Sequence, residues 1–205
     1  MNLKLNLLLC GLILFVFQVR AQNRGDVELG IGGGVNVAGI TGDYFTSDSR
    51  TAFNVDAFGD FYFSDRWSLK AKIQYDQKGY KTGSLTINDE VIIKQETYKL
   101  NYVTVPVMAN WHFGKKRNWY MNFGPYIGML VNAKASNVDV KDRFNTVDVG
   151  LDYGIGVKIP IFSHCKLFLG YDVQYGFTDI VKNNPGSSAN NLRVTFHTGV
   201  AFSIK

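Results

Sequence analysis

Cysteine is almost absent from this chain: of its 205 residues only Cys10 and Cys165 carry a thiol. Cys10 falls in a segment expected to be removed, so no internal disulfide can tie the mature chain together. Long apolar runs are missing as well. The stretch from Leu5 to Phe17 is too short for the roughly 20 residues a spanning helix requires, and no later stretch is longer, which excludes a helical membrane anchor. Charge of one sign is scarce too, with a net charge of only +5. Its tightest basic cluster, Lys115-Lys116-Arg117, sits in a short turn and is not interleaved with stacking aromatics, which argues against a nucleic-acid partner. The three histidines are dispersed, so with no cysteine pair neither a metal site nor another cofactor is expected.

What is present first is a leader pattern. Lys4 precedes the apolar core, and Val19-Arg20-Ala21 ends on a small residue that suits signal peptidase. Residues 1–21 are therefore expected to be a cleaved signal peptide and residues 22–205 a single domain. Leu9 stands before Cys10 where a lipidation site would need a small residue, so lipoprotein processing is not expected.

The rest of the chain alternates. Val27, Leu29, Ile31, Val35 and Val37 share one face of the first segment, with Glu28, Gly30, Gly32, Gly34 and Asn36 on the other. Repetition of this period-two pattern predicts eight strands near 27–37, 52–63, 67–78, 99–113, 119–132, 146–159, 166–177 and 192–204. Short connections at 64–66, 114–118 and 160–165 alternate with long ones near 38–51, 79–98, 133–145 and 178–191. Strict alternation of this kind, with one uncharged face on every strand, predicts an all-β fold: an eight-stranded antiparallel up-and-down transmembrane β-barrel with short periplasmic turns, longer extracellular loops and both termini periplasmic. Within 79–98 a second alternation, Ser84 to Ile87 and Val91 to Lys94, predicts a protruding hairpin. Asn183-Asn184-Pro185-Gly186-Ser187-Ser188 has the chemistry of an open surface loop.

Alternation alone does not say which face points outward; volume does. Eight strands enclose a lumen only just filled by side chains. The apolar face carries Phe53, Tyr75, Phe123, Tyr153, Tyr171, Tyr175, Phe177 and Phe196 among others, too bulky a set to share that space, whereas the other face is rich in glycine. Phe61, Phe63, Trp67, Trp111, Phe113, Trp119 and Phe202 gather at strand ends beside the short turns, as a periplasmic aromatic belt would.

An inward glycine face also carries charge. Glu28, Asp56, Asp60, Asp76, Asp148, Asp152 and Asp172 are expected inside with Lys70, Lys72, Lys158, Lys166 and Arg193, and His197 near mid-barrel, in one interior polar network. Such charges must pair. Setting Phe63 opposite Trp67 across the first short turn places Asp60 opposite Lys70, which predicts a direct ion pair between them. Pro106 and Pro125, near-opposite across the turn at 114–118, each remove a ladder donor and predict a bulge or widened gap.

Several stretches resemble the PorT-like outer-membrane β-barrel family, which shares its architecture with the small OmpA and OmpX barrels. They are Lys78-Gly79-Tyr80-Lys81, Leu100-Asn101-Tyr102-Val103-Thr104-Val105-Pro106-Val107, Phe123-Gly124-Pro125-Tyr126-Ile127-Gly128, the run from Gly150 to Val157 and that from Leu169 to Ile180. The resemblance implies an eight-stranded outer-membrane barrel; some relatives support type IX secretion, and no catalytic residue is carried over. The expected role is non-enzymatic: structural, surface-interacting or secretion-accessory, surrounded by outer-membrane lipid and with a membrane-protein or secretion-complex partner. A lipid-modifying enzyme would need a nucleophile and base near the outer leaflet, a small-solute channel would need a wider lumen, and a soluble ligand-binding barrel would need the opposite face inward.

Overall fold

A strand that hides one face from water and shows the other to lipid still leaves its edges unpaired, and closing the sheet on itself removes the edges altogether. The computed structural model, which describes residues 24–42, 47–83, 85–87, 90–93, 95–184 and 188–204, closes in this way. The expected signal segment 1–21 lies outside the described residues. The strands are β1 (Val27–Thr41), β2 (Asp48–Tyr62), β3 (Trp67–Lys81), β4 (Leu85–Ile87), β5 (Glu90–Ile93), β6 (Thr97–Phe113), β7 (Trp119–Ala135), β8 (Val138–Asp139), β9 (Val147–Phe162), β10 (Cys165–Gly176) and β11 (Asn190–Ile204). The order β1-β2-β3-β6-β7-β9-β10-β11 is antiparallel throughout, and β11 returns to pair with β1 from Val27↔Ile204 to Thr41↔Asn190. The result is a closed eight-stranded barrel.

The strands outrun the expected ranges mainly at the long-loop end, where β3 pairs as far as Lys81 with both Asp48 and Thr97. A tilted strand needs only about 9–11 residues to cross hydrocarbon, so these extensions stand beyond the apolar band. Gly79 makes one of them passable. Its φ is 125°, and a Cβ there would lie 2.1 Å from the Tyr98 carbonyl oxygen. The expected hairpin within 79–98 forms as β4 paired with β5, a separate two-stranded sheet.

Two expectations are corrected. The ladder does lapse at the prolines, between Pro106↔Tyr126 and Ala109↔Phe123, yet its register does not change there; the shift in β6 against β7 lies at Asn101/Tyr102. Gly124 explains why no bulge opens: a Cβ on it would stand 2.1 Å from the Val107 carbonyl oxygen, so the two backbones close on each other where the donor is missing. The segment around Asn183 is not simply an open loop, although Pro185 to Ser187 lie outside the described residues. Ile180 and Ala189 on its flanks are fully buried, Ile180 N donates to Ala189 O at 2.8 Å, and Lys182 N donates to Arg143 O at 2.9 Å. With Val140, Phe144, Leu100, Leu130 and Ile40 these flanks form an apolar cluster over the long-loop end of the barrel.

Candidate functional site

Each barrel strand turns its even-numbered or polar file inward, and the lumen receives it in layers. Glu28, Asp56, Asp60, Asp148, Asp152, Asp172, Lys70, Lys72, Lys158, Arg193 and His197 are all buried. Round the ring β9 stands opposite β2, and β10 opposite β3, so a lysine can reach across the narrow lumen as easily as to its neighbour.

Near the short turns Lys158 Nζ lies 2.5 Å from Glu28 Oε2, 2.8 Å from Asp60 Oδ2 and 2.9 Å from the Tyr62 hydroxyl. Lys166 pairs with the other oxygen of Glu28, and Asn110 Nδ2 donates to Asp60 at 3.0 Å. Beside this cluster Ser68 Oγ and His112 Nε2 are 2.9 Å apart, both without exposure. In the next layer Lys72 Nζ meets Asp172 Oδ2 at 2.7 Å, with His197 Nε2 3.5 Å from the same oxygen. Further along, Arg193 reaches Asp76 at 3.1 Å and Asp152 at 3.9 Å, while Gln174 donates to Asp152 at 2.8 Å. Below the apolar cap Lys78 Nζ lies 3.1 Å from Asp148 Oδ2, which also accepts from Tyr126 OH at 3.1 Å and Asn191 Nδ2 at 2.8 Å. Asp56 is buried on the file of β2 that carries Asp60, without an ion pair among the described residues.

The expected Asp60–Lys70 pair is corrected. Its register is as expected, with Asp60 directly opposite Lys70, but Asp60 turns across the lumen to Lys158. Lys70 Nζ instead lies over aromatic rings, 4.3 Å from the Phe58 centroid, 5.1 Å from Tyr120 and 5.8 Å from Phe168. Each ring face offers the ammonium a negative quadrupole, and Asp60 and Asp172 act on it only from beyond ion-pair distance.

Those rings also revise the picture of an interior fitted only with small residues. Phe58, Tyr62, Tyr102, Tyr120, Tyr126 and Phe168 all point inward and are buried. They fit because glycines face them: a Cβ on Gly30 would meet Phe58 Cζ at 2.3 Å, one on Gly32 would meet Phe168 Cζ at 2.6 Å, and one on Gly156 would meet the Tyr120 hydroxyl at 2.3 Å. Reading the alternation alone missed this pairing of glycine with ring, and missed Lys78, although Lys70, Lys72, Asp76 and Lys78 continue one file of β3.

Outside, the seven belt residues Phe61, Phe63, Trp67, Trp111, Phe113, Trp119 and Phe202 stand at the short-turn ends, all exposed except half-buried Phe113. Trp67 and Trp111 are cross-strand partners with ring centroids 6.4 Å apart, and Trp111, Phe113 and Trp119 continue the row at 5.1 and 6.4 Å. Among the described residues no group of His, Cys, Asp or Glu could hold a metal ion.

Residues 20–182 match the sequence model of a family described as the outer membrane protein beta-barrel domain. No curated protein matches the sequence. Among solved structures, the outer membrane protein OprG from Pseudomonas aeruginosa is similar with a TM-score of 0.57 at 10% identity, over 90% of this chain and 98% of that one. Neisserial surface protein A is similar with a TM-score of 0.54 at 16% identity, over 87% of this chain and 99% of that one. At such identities the likeness is one of fold.

Proposed function

The chain belongs to the outer membrane protein β-barrel domain family and is an integral outer-membrane barrel, and we propose that it acts without catalysis, through its loops or wall, as a PorT-like accessory to a secretion assembly or as a surface-interaction protein. The observation that carries this reading is the filled lumen. Ion pairs cross it in successive layers from Lys158 with Asp60 to Lys78 with Asp148, and an apolar cluster lies over one end. A small-solute channel would have to break several buried pairs at once, each of them costly to open. Ser68 and His112 have the spacing of a nucleophile and base, but both are without exposure, so lipid modification is disfavoured as well.

The short turns and both termini are assigned to the periplasm and the β4–β5 hairpin to the cell surface, by the alternation of connection lengths. An epitope inserted between Asn88 and Asp89 should bind antibody on intact cells, and one inserted in the turn at 114–118 should not. Affinity purification from native membranes tests the role. A stoichiometric membrane partner supports the accessory assignment, whereas large stable conductance steps in planar bilayers would sink the filled-lumen reading.

A further inference from the structure

At the short-turn end the lipid-facing wall gives way to a basic pocket. Arg24, Arg66 and Arg117 surround a surface cavity of about 460 Å³ together with Phe63, Ser64, Asp65 and Trp67. Its single carboxylate is already engaged, with Arg117 Nη2 3.1 Å from Asp65 Oδ2. Arg24 and Arg66 are exposed and make no ion pair among the described residues. The cavity's frame is held in place: Ser64 Oγ accepts from the amides of Arg66 and Trp67 at 3.3 and 3.0 Å, and His112 N donates to Arg66 O at 2.7 Å. Lys115 and Lys116, exposed in the same turn as Arg117, add positive charge nearby.

Position decides what such a pocket would take. Trp67 belongs both to its lining and to the row of rings that continues through Trp111 and Phe113 to Trp119, and Phe63, exposed at the same short-turn end, lines it as well. Rows of this kind stand where hydrocarbon meets headgroups, so the arginines lie at the depth of lipid phosphate with aromatic wall beside them for the acyl chain. Arginine is suited to that ligand because its planar fork holds phosphate oxygens in pairs.

We propose that this pocket is a binding site for the phosphate of an anionic glycerophospholipid, with Arg24 and Arg66 as its principal ligands and Phe63 and Trp67 flanking the chain. A free phosphate would share the chemistry but gain nothing from the rings. The choice of a glycerophospholipid rests on the proposed periplasmic placement of the short turns.

The full-length barrel, purified in detergent and offered equimolar phosphatidylglycerol and phosphatidylcholine, is the test, read by native mass spectrometry. One phosphatidylglycerol should be retained in preference. Since each basic side chain at an anionic surface contributes roughly fivefold in affinity, the Arg24→Gln/Arg66→Gln double variant should lose that preference by roughly tenfold or more. A Lys141→Gln/Arg143→Gln control at the opposite end should keep it, and heat-modifiable electrophoretic mobility verifies that each variant is folded. Equal retention of the two lipids, unchanged selectivity in the double variant, or an equal loss in the control would overturn the site. Displacement of the lipid by millimolar inorganic phosphate would mark a soluble-anion site and overturn the lipid assignment. An epitope in the turn at 114–118 that is accessible on intact cells would instead overturn the orientation, and the glycerophospholipid with it, while leaving the measured selectivity intact.

Discussion

Replacing Lys158 with methionine should cost the barrel about 3–5 kcal/mol, the range for leaving one member of a buried ion pair without its partner. Lys158 is buried, and its ammonium is shared among Glu28 at 2.5 Å, Asp60 at 2.8 Å and Tyr62 at 2.9 Å. Methionine would keep most of the side-chain volume but leave Asp60 with the Asn110 amide as its hydrogen-bond donor among the described residues and no direct ion pair, while Glu28 would retain Lys166. The same substitution at Lys70 makes the contrast. That ammonium has three rings and no direct ion pair among the described residues, so Lys70→Met loses a cation–π attraction of about 2 kcal/mol. It is also relieved of burying an unpaired charge, which costs several kcal/mol, and a thioether packs well against rings. The two roughly offset, and Lys70→Met should stay within about 1 kcal/mol of the parent.

Reversible urea unfolding from phosphatidylcholine vesicles, followed by the fluorescence of Trp67, Trp111 and Trp119, measures both variants. The double variant Lys158→Met/Asp60→Asn should recover a substantial part of the Lys158→Met loss, since it removes the stranded carboxylate along with its partner. If Lys70→Met proves as damaging as Lys158→Met, Asp60 takes its counter-ion from the neighbouring strand, and the cross-lumen arrangement is refuted.

Three further outcomes follow from the same geometry. Gly30→Ala should destabilise by about 1–3 kcal/mol through overpacking, because the new Cβ meets Phe58 Cζ at 2.3 Å. Adding Phe58→Leu should restore only part of this in the same unfolding assay, since the Val200 carbonyl oxygen, 2.8 Å away, remains. Phe123→Arg, at an exposed position four residues into β7 from the belt residue Trp119, should cost about 2–4 kcal/mol in a bilayer, whereas little change would indicate that this face does not meet hydrocarbon. Replacing residues 84–94 with a short glycine-serine turn should leave the unfolding midpoint unchanged, because β4 and β5 pair only with each other and Thr82 N already donates to Glu96 O at 2.8 Å at their base.

Which parts of this molecule were readable from the chain depended on the range of the interaction. The outward face, the pairing of Asp60 opposite Lys70 and the β4–β5 hairpin follow from period-two alternation and short turns, all local quantities. The partners of the buried charges do not, because in so narrow a barrel the opposite wall competes with the adjacent strand. Asp60 finds Lys158 from 98 residues away, and Lys72 finds Asp172 from 100. The buried flanks of the loop around Asn183 were unreadable for a similar reason: Ile180 and Ala189 carry no local signal, and their burial depends on Phe144 and Val140 arriving from another loop.

The lumen's charges carry an argument about assembly as well as stability. In water an apolar face finds its own way inward, but in lipid an apolar lumen and an apolar exterior would be nearly equivalent, and a strand could insert with either face out. A polar file on every strand removes that degeneracy. A one-residue slip of β3 would turn Lys70, Lys72, Asp76 and Lys78 toward lipid; at about 2–4 kcal/mol for a lysine near the midplane, falling toward the interfaces, the slipped state would lie several kcal/mol above the native one before any lost pair is counted. Lys70 contributes to this choice although it makes no ion pair: its value lies in how costly it would be on the outside, which is why a lysine rather than another ring can occupy the aromatic box formed by Phe58, Tyr120 and Phe168.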